Sequence, residues 1–272
     1  MIRGLLCALA LWPAVACAEA TLVARGIWPE TGGVSALELT EDGTSAIALS
    51  DRGTLLRGRF RREGGILTVV TTERRELEGP PPLAPAGDTE GLALAPDGRL
   101  FLSVEGANRV RLQPRAGRPR DLPAPREFSR FRSNAGLEAL AVDAAGALWT
   151  LPEEPRDGYF PLYRFDRNGW RLRMRLGATE AFRMVGADFG PDGKLYLLQR
   201  DFDGIAVRSL VTRIDVRTGE AEEVLRTQRG RHGNLEGLAV WRDSAGSIRL
   251  TMVADDNFRR ILPTEIAEYR LD

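Results

Sequence analysis

Three glutamates occupy the same place in a repeated phrase of this 272-residue chain. Glu90 and Glu236 open the sequence Glu-Gly-Leu-Ala, and Glu138 opens Glu-Ala-Leu-Ala. If the fold brings these carboxylates together, they need a counter-charge from arginine or from a hard cation. Calcium suits the second option because it takes about six to eight oxygen ligands. The alternative is structural: each carboxylate caps a turn or accepts a hydrogen bond from neighbouring backbone.

Further oxygen-bearing side chains could complete such a site: Asp88, Asp201, Asp255, Asp256 and Asn257. The only histidine, His232, precedes Glu236 in a glycine-rich loop, where it could act as a general acid or base or remain a surface residue without a role. A zinc site is disfavoured because it would have to use carboxylates almost alone. A Ser-His-Asp triad is disfavoured because the chain has no Gly-x-Ser-x-Gly elbow.

The repeat that carries these residues predicts the fold. Its equivalent positions are separated by 55, 48, 47 and 51 residues, and they are Ser35, Glu90, Glu138, Val185 and Glu236. Each copy holds two short apolar runs joined by a turn glycine, which indicates an antiparallel hairpin. A period near 50 residues built from short strands is typical of a β-propeller. We therefore predict an all-β propeller of five blades, with six as the alternative.

The chain ends fit a closed ring. Residues 21–28 and 265–271 both have strand-like composition. Pairing the N-terminal strand into the C-terminal blade would remove two raw strand edges. We therefore expect these two strands to close the propeller.

The first 18 residues have the pattern of a secretory leader. Arg3 is followed by an apolar stretch and by Ala16-Cys17-Ala18, a small-residue cleavage site. We therefore expect export to the periplasm or the medium, with residues 19–272 as the mature single domain. Both cysteines, Cys7 and Cys17, would be lost with the leader. The alternative is a lipoprotein signal that leaves Cys17 as a lipidated N-terminus.

Charge and hydropathy limit the partners. The chain has 38 Lys plus Arg and 38 Asp plus Glu, which argues against binding nucleic acid by general electrostatic attraction. No later apolar run is long enough to predict a transmembrane segment. We expect a monomer with a small-molecule ligand at the channel mouth. An arginine-rich segment over residues 109–132 is interpreted as a solvated outer strand and loop, or else as an anion-attracting rim.

Five ordered motifs resemble the phytase-like domain family known as "esterase-like activity of phytase". They are Asp-Thr-Glu-Gly-Leu-Ala (88–93), Asn-Ala-Gly-Leu-Glu-Ala-Leu-Ala (134–141), Leu-Leu-Gln-Arg-Asp-Phe (197–202), Asn-Leu-Glu-Gly-Leu-Ala (234–239) and Ala-Asp-Asp-Asn-Phe (254–258). The resemblance implies an exported bacterial propeller distantly related to calcium-dependent phytases. Val185 replaces the acid of the fourth repeat, Gln199 stands where glutamate is expected, and no lysine-rich phosphate clamp occurs, which argues against phytate as the substrate.

The leading hypothesis is a metal-dependent hydrolase of phosphate or carboxylic esters. We assign metal ligation to Glu90, Glu138, Glu236, Asp255 and Asp256, catalysis to Arg200, Asp201 and His232, and substrate contacts to Arg231, Asn134 and Asn257. Arg200 or Arg231 would stabilise the developing anion. Two other hypotheses are a non-catalytic propeller that binds a ligand or an envelope partner, and a gluconolactonase-like lactonase with one calcium ion.

Overall fold

The computed structural model describes residues 20–29, 31–78, 88–132, 135–256 and 264–272. The leader, Asn134 and Asn257 lie outside the described residues, so the predictions for them stay predictions. The described chain is all-β apart from one short 3-10 helix, Arg126–Arg130. None of its helices has the length and apolarity needed to cross a bilayer.

Twenty strands form five four-stranded blades in the described residues. Blade 1 contains β2 (Val34–Leu39), β3 (Ser45–Ser50), β4 (Thr54–Glu63) and β5 (Ile66–Glu76). Blade 2 contains β6 (Thr89–Leu94), β7 (Leu100–Val104), β8 (Arg109–Gln113) and β9 (Arg120–Asp121). Blade 3 contains β10 (Leu137–Val142), β11 (Leu148–Pro152), β12 (Tyr159–Asp166) and β13 (Gly169–Gly177). Blade 4 contains β14 (Arg183–Phe189), β15 (Leu195–Phe202), β16 (Val207–Ile214) and β17 (Ala221–Arg226). Blade 5 contains β18 (Asn234–Arg242), β19 (Ile248–Asp255), β20 (Glu265–Leu271) and β1 (Ala20–Ile27).

The terminal strands close the ring as predicted. Strand β1 pairs antiparallel with β20, from Ala20 opposite Leu271 to Ile27 opposite Glu265. The same strand also pairs in parallel with β5, through Arg25 opposite Ile66, which the sequence did not indicate. Blades 1 and 5 therefore share one eight-stranded sheet. The innermost strands β2, β6, β10, β14 and β18 contact one another in circular order.

Every innermost strand has a β-bulge at the same repeat position. The register shifts fall at the five positions that the sequence aligned: Ser35, Glu90, Glu138, Val185 and Glu236. A bulge inserts an unpaired residue and changes the direction of its side chain. The repeat thus encodes a backbone irregularity, and four of these five residues line one cavity on the axis.

The residue after the bulge must be small because the inner strands approach closely. A Cβ on Gly91 would lie 2.4 Å from the Glu138 carbonyl oxygen, and one on Gly186 would lie 2.4 Å from the Glu236 carbonyl oxygen. Such contacts leave room for glycine but not for a side chain. Apolar side chains fill the space between blades, as Leu198 of blade 4 and Met252 of blade 5 do. Tight inter-blade packing therefore holds the bulged residues at the axis.

Candidate functional site

Two rings of side chains surround the axis at one end of the channel. The first ring consists of the bulge residues. The second consists of the residues at the end of the second strand of each blade, which the strand registers make equivalent: Asp51, Glu105, Glu153, Arg200 and Asp255. All of these residues except Val185 line one cavity of about 250 Å³, and Arg183 completes its wall. The lining residues are Ser35, Asp51, Glu90, Glu105, Glu138, Glu153, Arg183, Arg200, Glu236 and Asp255. We call it the axial cavity.

Arg200 stands where the other four blades have an acid. Its Nη1 donates to Glu236 Oε1 at 2.6 Å and to Asn234 Oδ1 at 2.8 Å, and its Nη2 donates to Glu153 Oε1 at 3.1 Å. From the sequence, Asp201 was expected to complete a metal site or to act in catalysis. The register pairs Arg183 with Arg200, so Asp201 lies one position further along. Arg200 is therefore an internal counter-charge of the acidic ring.

Burial and mutual repulsion keep protons on the inner carboxyl groups. Burial and, to a smaller extent, the charges of Glu236 and Asp88 together raise the pKa of Glu90 to about 10. The pKa of Glu138 is also well above its usual range, through burial and through Glu90. Burial raises the pKa of Glu236 to about 8, although the adjacent Arg200 opposes the shift. The two arginines of the cavity, Arg183 and Arg200, are too few to compensate all of these carboxyl groups in their ionised form.

Two residues of the second ring titrate near neutral pH. Burial raises the pKa of Glu105 to about 7, and a hydrogen bond with Asp88 contributes. Burial raises the pKa of Asp51 to about 6, and the charge of Asp255 adds to the rise. Within the described residues, Asp51 Oδ1 is buried without a hydrogen-bond partner. Such groups can exchange protons at physiological pH.

Two overlapping sets of carboxylates could hold a metal ion. One set is Asp88, Glu90 and Glu105, and the other is Glu105, Glu138 and Glu153; within each, the candidate ligand oxygens lie within 4.8 Å of one another. Their all-oxygen composition fits a hard cation rather than zinc. A bound cation would also offset the like-charge repulsion that raises these pKa values.

The sequence analysis assigned Glu90 and Glu138 to this site but gave no role to Glu105 and Glu153. Both were visible as acids at the end of a repeat. The missing information was the strand register, which brings the end of the second strand beside the bulge of the first. The metal-ligand assignment of Glu90 and Glu138 remains a prediction, now supported by their proximity to further acids.

The other predicted ligands have different surroundings. Glu236 lies in the axial cavity but is paired with Arg200 and belongs to neither carboxylate set. Asp255 lines the same cavity. Asp256 accepts a hydrogen bond from the Gly33 amide at 2.9 Å and one from the Thr264 hydroxyl at 3.3 Å, so it ties blade 5 to the chain entering blade 1. Metal ligation by these three residues stays a prediction.

A larger groove opens beside the axial cavity at the mouth between blades 4 and 5. Its volume is about 1450 Å³, and it shares Arg183, Arg200 and Asp255 with the axial cavity. Arg231, Phe202 and Ile205 also line it, and these two apolar side chains are 61% and 93% exposed. The groove thus presents both guanidinium groups and apolar surface beside the acidic cavity.

His232 and Asp201 line the groove with their polar atoms engaged. His232 has a side chain only 1% exposed; its Nδ1 lies 2.8 Å from Glu265 Oε1 and its Nε2 lies 2.6 Å from the Tyr269 hydroxyl. Burial alone would raise the pKa of Asp201, but hydrogen bonds from Arg208 and Arg229 outweigh it and lower the pKa. Both residues shape the groove wall, and their catalytic roles stay predictions.

Comparison with known proteins identifies the family. The model described as "Phytase-like: Esterase-like activity of phytase" matches residues 29–258. The chain belongs to this phytase-like family. No curated protein matches the chain significantly.

One solved structure agrees with this chain in fold at a TM-score above 0.5. A PQQ-bound aldose sugar dehydrogenase from Streptomyces coelicolor has a TM-score of 0.51 and 14% identity, covering 94% of this chain and 99% of that one. Virginiamycin B lyase from Staphylococcus aureus has a TM-score of 0.45 and 15% identity, covering 90% of this chain and 83% of that one. At such identities the likeness concerns the fold alone.

Proposed function

We propose that this phytase-like propeller is a calcium-dependent hydrolase of carboxylic or phosphate esters. The observation that carries the proposal is the position of the two carboxylate sets. They share Glu105, and all their members except Asp88 line the axial cavity, which meets the large groove at Arg200. An ester in the groove would therefore reach oxygen ligands and a guanidinium at the same end.

The cation would be held by Glu90, Glu105 and Glu138, with Asp88 and Glu153 completing the two sets. When bound, it would polarise the ester oxygen and lower the pKa of a water molecule. Its charge would also replace the protons that these carboxyl groups otherwise keep.

Two other residues of the axial cavity, Arg200 and Asp51, could stabilise an anion and accept a proton. Arg200 is fixed by Glu153 and Glu236 and lines both cavities, so its guanidinium can stabilise an anion that develops at the junction. Asp51 lies outside both carboxylate sets and has a pKa of about 6, which suits a general base that accepts a proton from water. The chain thus offers a base and an anion-stabilising group in one small cavity.

The groove favours a substrate with an apolar part. Phe202, Ile205 and Ile27 expose apolar surface there, while Arg183 and Arg231 offer positive charge. An anionic ester with an acyl or aryl group matches this lining, and lactones are included as cyclic esters. We further propose export, on the basis of the leader pattern in residues 1–18.

The test combines calcium titration with hydrolysis. Purified protein is stripped with EGTA and titrated with Ca²⁺ by calorimetry. It is then assayed on 4-nitrophenyl acetate, 4-nitrophenyl phosphate and gluconolactone, with Ca²⁺ or with chelator. Glu105→Gln should weaken calcium binding by about tenfold or more, because both sets lose a ligand. Asp51→Asn should retain calcium and lose hydrolysis.

Glu154→Gln is the matched control. Glu154 follows Glu153 in the chain but pairs with Arg132 and Arg183 and belongs to neither set. This variant should bind calcium as the unmodified protein does. If the unmodified protein hydrolyses nothing in the panel, the hydrolase proposal is wrong and a ligand-binding propeller replaces it.

A further inference from the structure

A second cavity lies away from the axis, between the 3-10 helix and the outer strands of blade 3. Its volume is about 420 Å³, and none of the residues that line it also lines the axial cavity or the groove. Tyr163 and Trp170 form part of its wall, and Phe128 packs against both, with ring centroids at 5.1 and 5.3 Å. Mutual ring packing gives the cavity a rigid aromatic wall.

A β-bulge brings charge to this wall. In β13 the register shifts between Leu172, which is opposite Tyr163, and Met174, which is opposite Leu162. Arg173 is therefore the inserted residue, and side-chain alternation resumes one position later. As a result, Arg175 shares the cavity face with Leu172. Without the bulge, Arg175 would point to the opposite face.

Three guanidinium groups line the cavity without an ion-pair partner. Arg130, Arg156 and Arg175 form no salt bridge within the described residues. Many other arginines of the described residues do pair with a carboxylate. Glu127 and Asp157 also line the cavity, so arginine exceeds acid by one charge.

The same guanidinium groups interact electrostatically with the aromatic wall of the cavity. Burial raises the pKa of the Tyr163 hydroxyl and the Glu127 carboxylate adds to the rise, while Arg156, Arg175 and Arg130 each oppose it. All three guanidinium groups are therefore close enough to act electrostatically on the tyrosine. An anion placed at this wall would experience the same positive charge.

We propose that this cavity is a binding site for a planar aromatic acid of one or two rings. The partly exposed rings of Tyr159 and Trp170 line the cavity and offer surface for stacking, and guanidinium groups bind carboxylates in a planar, two-pronged geometry. The volume lies within the range of small-molecule sites, about 300–1,000 Å³. The site is independent of the chemistry proposed for the axial cavity.

Calorimetric titration with 2-naphthoate tests the proposal, with 2-naphthamide as the uncharged analogue. The unmodified protein should bind the acid at least about tenfold more tightly than the amide, since charge-assisted hydrogen bonds are roughly twice as strong as neutral ones. The double variant Arg156→Gln/Arg175→Gln should lose this preference. Both positions are exposed, so the variant should fold normally.

Two control variants locate the site. Arg171→Gln changes an arginine of the same strand that does not line the cavity, and it should leave naphthoate binding unchanged. Arg231→Gln removes a guanidinium from the groove, so any naphthoate binding that this change reduces belongs to the groove and not to this cavity. The proposal is overturned if naphthoate does not bind, if the double variant binds as tightly as the unmodified protein, or if Arg231→Gln removes the binding.

Discussion

Blades 2 and 4 have the same backbone at the axis but opposite charge. Both have a bulge on the innermost strand and a second strand that ends beside it. At these two positions blade 2 carries Glu90 and Glu105, whereas blade 4 carries Val185 and Arg200. The repeat therefore gives each of the five blades a similar backbone at the axis. The residues that depart from the repeat determine the charge distribution of the cavity.

Because of this difference, the two sides of the axial cavity differ in charge. Arg200 compensates Glu236 and Glu153 on its own side. Glu90 and Glu105 of blade 2, together with Glu138 of blade 3, keep raised pKa values on the other side. A cation is therefore needed most on the side of blades 2 and 3, where both carboxylate sets lie.

Removing the positive charge of blade 4 should have the largest effect. Arg200→Met leaves Glu236 without its counter-charge in a buried site, and Glu153 keeps only its longer contact with Arg183, at 3.5 Å. We expect a loss of about 3–5 kcal/mol in the free energy of unfolding at pH 8, the cost typical of breaking a buried ion pair. Urea denaturation measures it. The loss should shrink at pH 5, where Glu236 is protonated and needs no counter-charge.

Arg217→Met is the control for this prediction. Arg217 belongs to the same blade, in the turn between β16 and β17, and pairs with Asp215, but its side chain is 85% exposed. Exposed ion pairs contribute about 0–1 kcal/mol. An equal loss of stability in both variants would show that Arg200 has no special electrostatic role.

Much of this arrangement could be predicted from the sequence. The spacing of Glu90, Glu138 and Glu236 predicted the propeller and their shared position on innermost strands, because a repeat reports equivalent backbone. It did not reveal Glu105 and Glu153 as their neighbours or the pairing of Arg200 with Glu236. Those contacts depend on strand register and on bulges, which offset one strand against the next by a residue. The side-chain partners of His232 come from β20, 33 and 37 residues away along the chain.

The close approach of inner strands gives the next prediction. A Cβ on Gly91 would also lie 2.6 Å from Ser103 Oγ and 2.8 Å from Leu140 Cβ, whereas beyond the Glu236 carbonyl oxygen the next residue to meet a Cβ on Gly186 is Leu198, at 3.5 Å. We expect Gly91→Ala to cost about 1–3 kcal/mol through overpacking, and Gly186→Ala to cost less. Urea denaturation of both variants provides the measurement. Equal costs would contradict the packing difference between blades 2 and 4.

Gly91→Ala should also weaken calcium binding, because its neighbour across the strands is Glu138. Gly98→Ala serves as the control. Gly98 has a positive φ of 82° in a turn, but nothing lies within 4 Å of an added Cβ. The Gly98→Ala variant should lose stability through backbone strain but bind calcium with the affinity of the unmodified protein.

Calcium should offset part of the loss of stability that occurs as pH rises. The folded protein keeps protons on Glu105 up to about pH 7 and on Glu236 up to about pH 8, whereas unfolded glutamates lose them near pH 4.3. Between about pH 5 and 8 the folded state therefore binds more protons, so stability in chelator should fall as pH rises. Calcium at 100 times its Kd should restore about 2.7 kcal/mol at pH 8. Thermal denaturation at both pH values tests this; a rising Tm in chelator would contradict it.

The smallest effect should come from Arg200→Lys, which keeps the positive charge at this position of blade 4 but changes the geometry of its hydrogen bonds. The guanidinium spans Glu236 and Glu153 through separate nitrogens, and a lysine ammonium offers only one nitrogen. One charged hydrogen bond should be lost, at a cost of about 1.5 kcal/mol. Calcium affinity of the set formed by Asp88, Glu90 and Glu105 should stay the same, because Arg200 forms its hydrogen bonds with Glu236 and Glu153 and with no member of that set. Urea denaturation and calcium titration of this variant beside Arg200→Met separate charge from geometry. If the lysine variant is as unstable as the methionine variant, the fork of hydrogen bonds, rather than the positive charge, distinguishes blade 4 from blade 2.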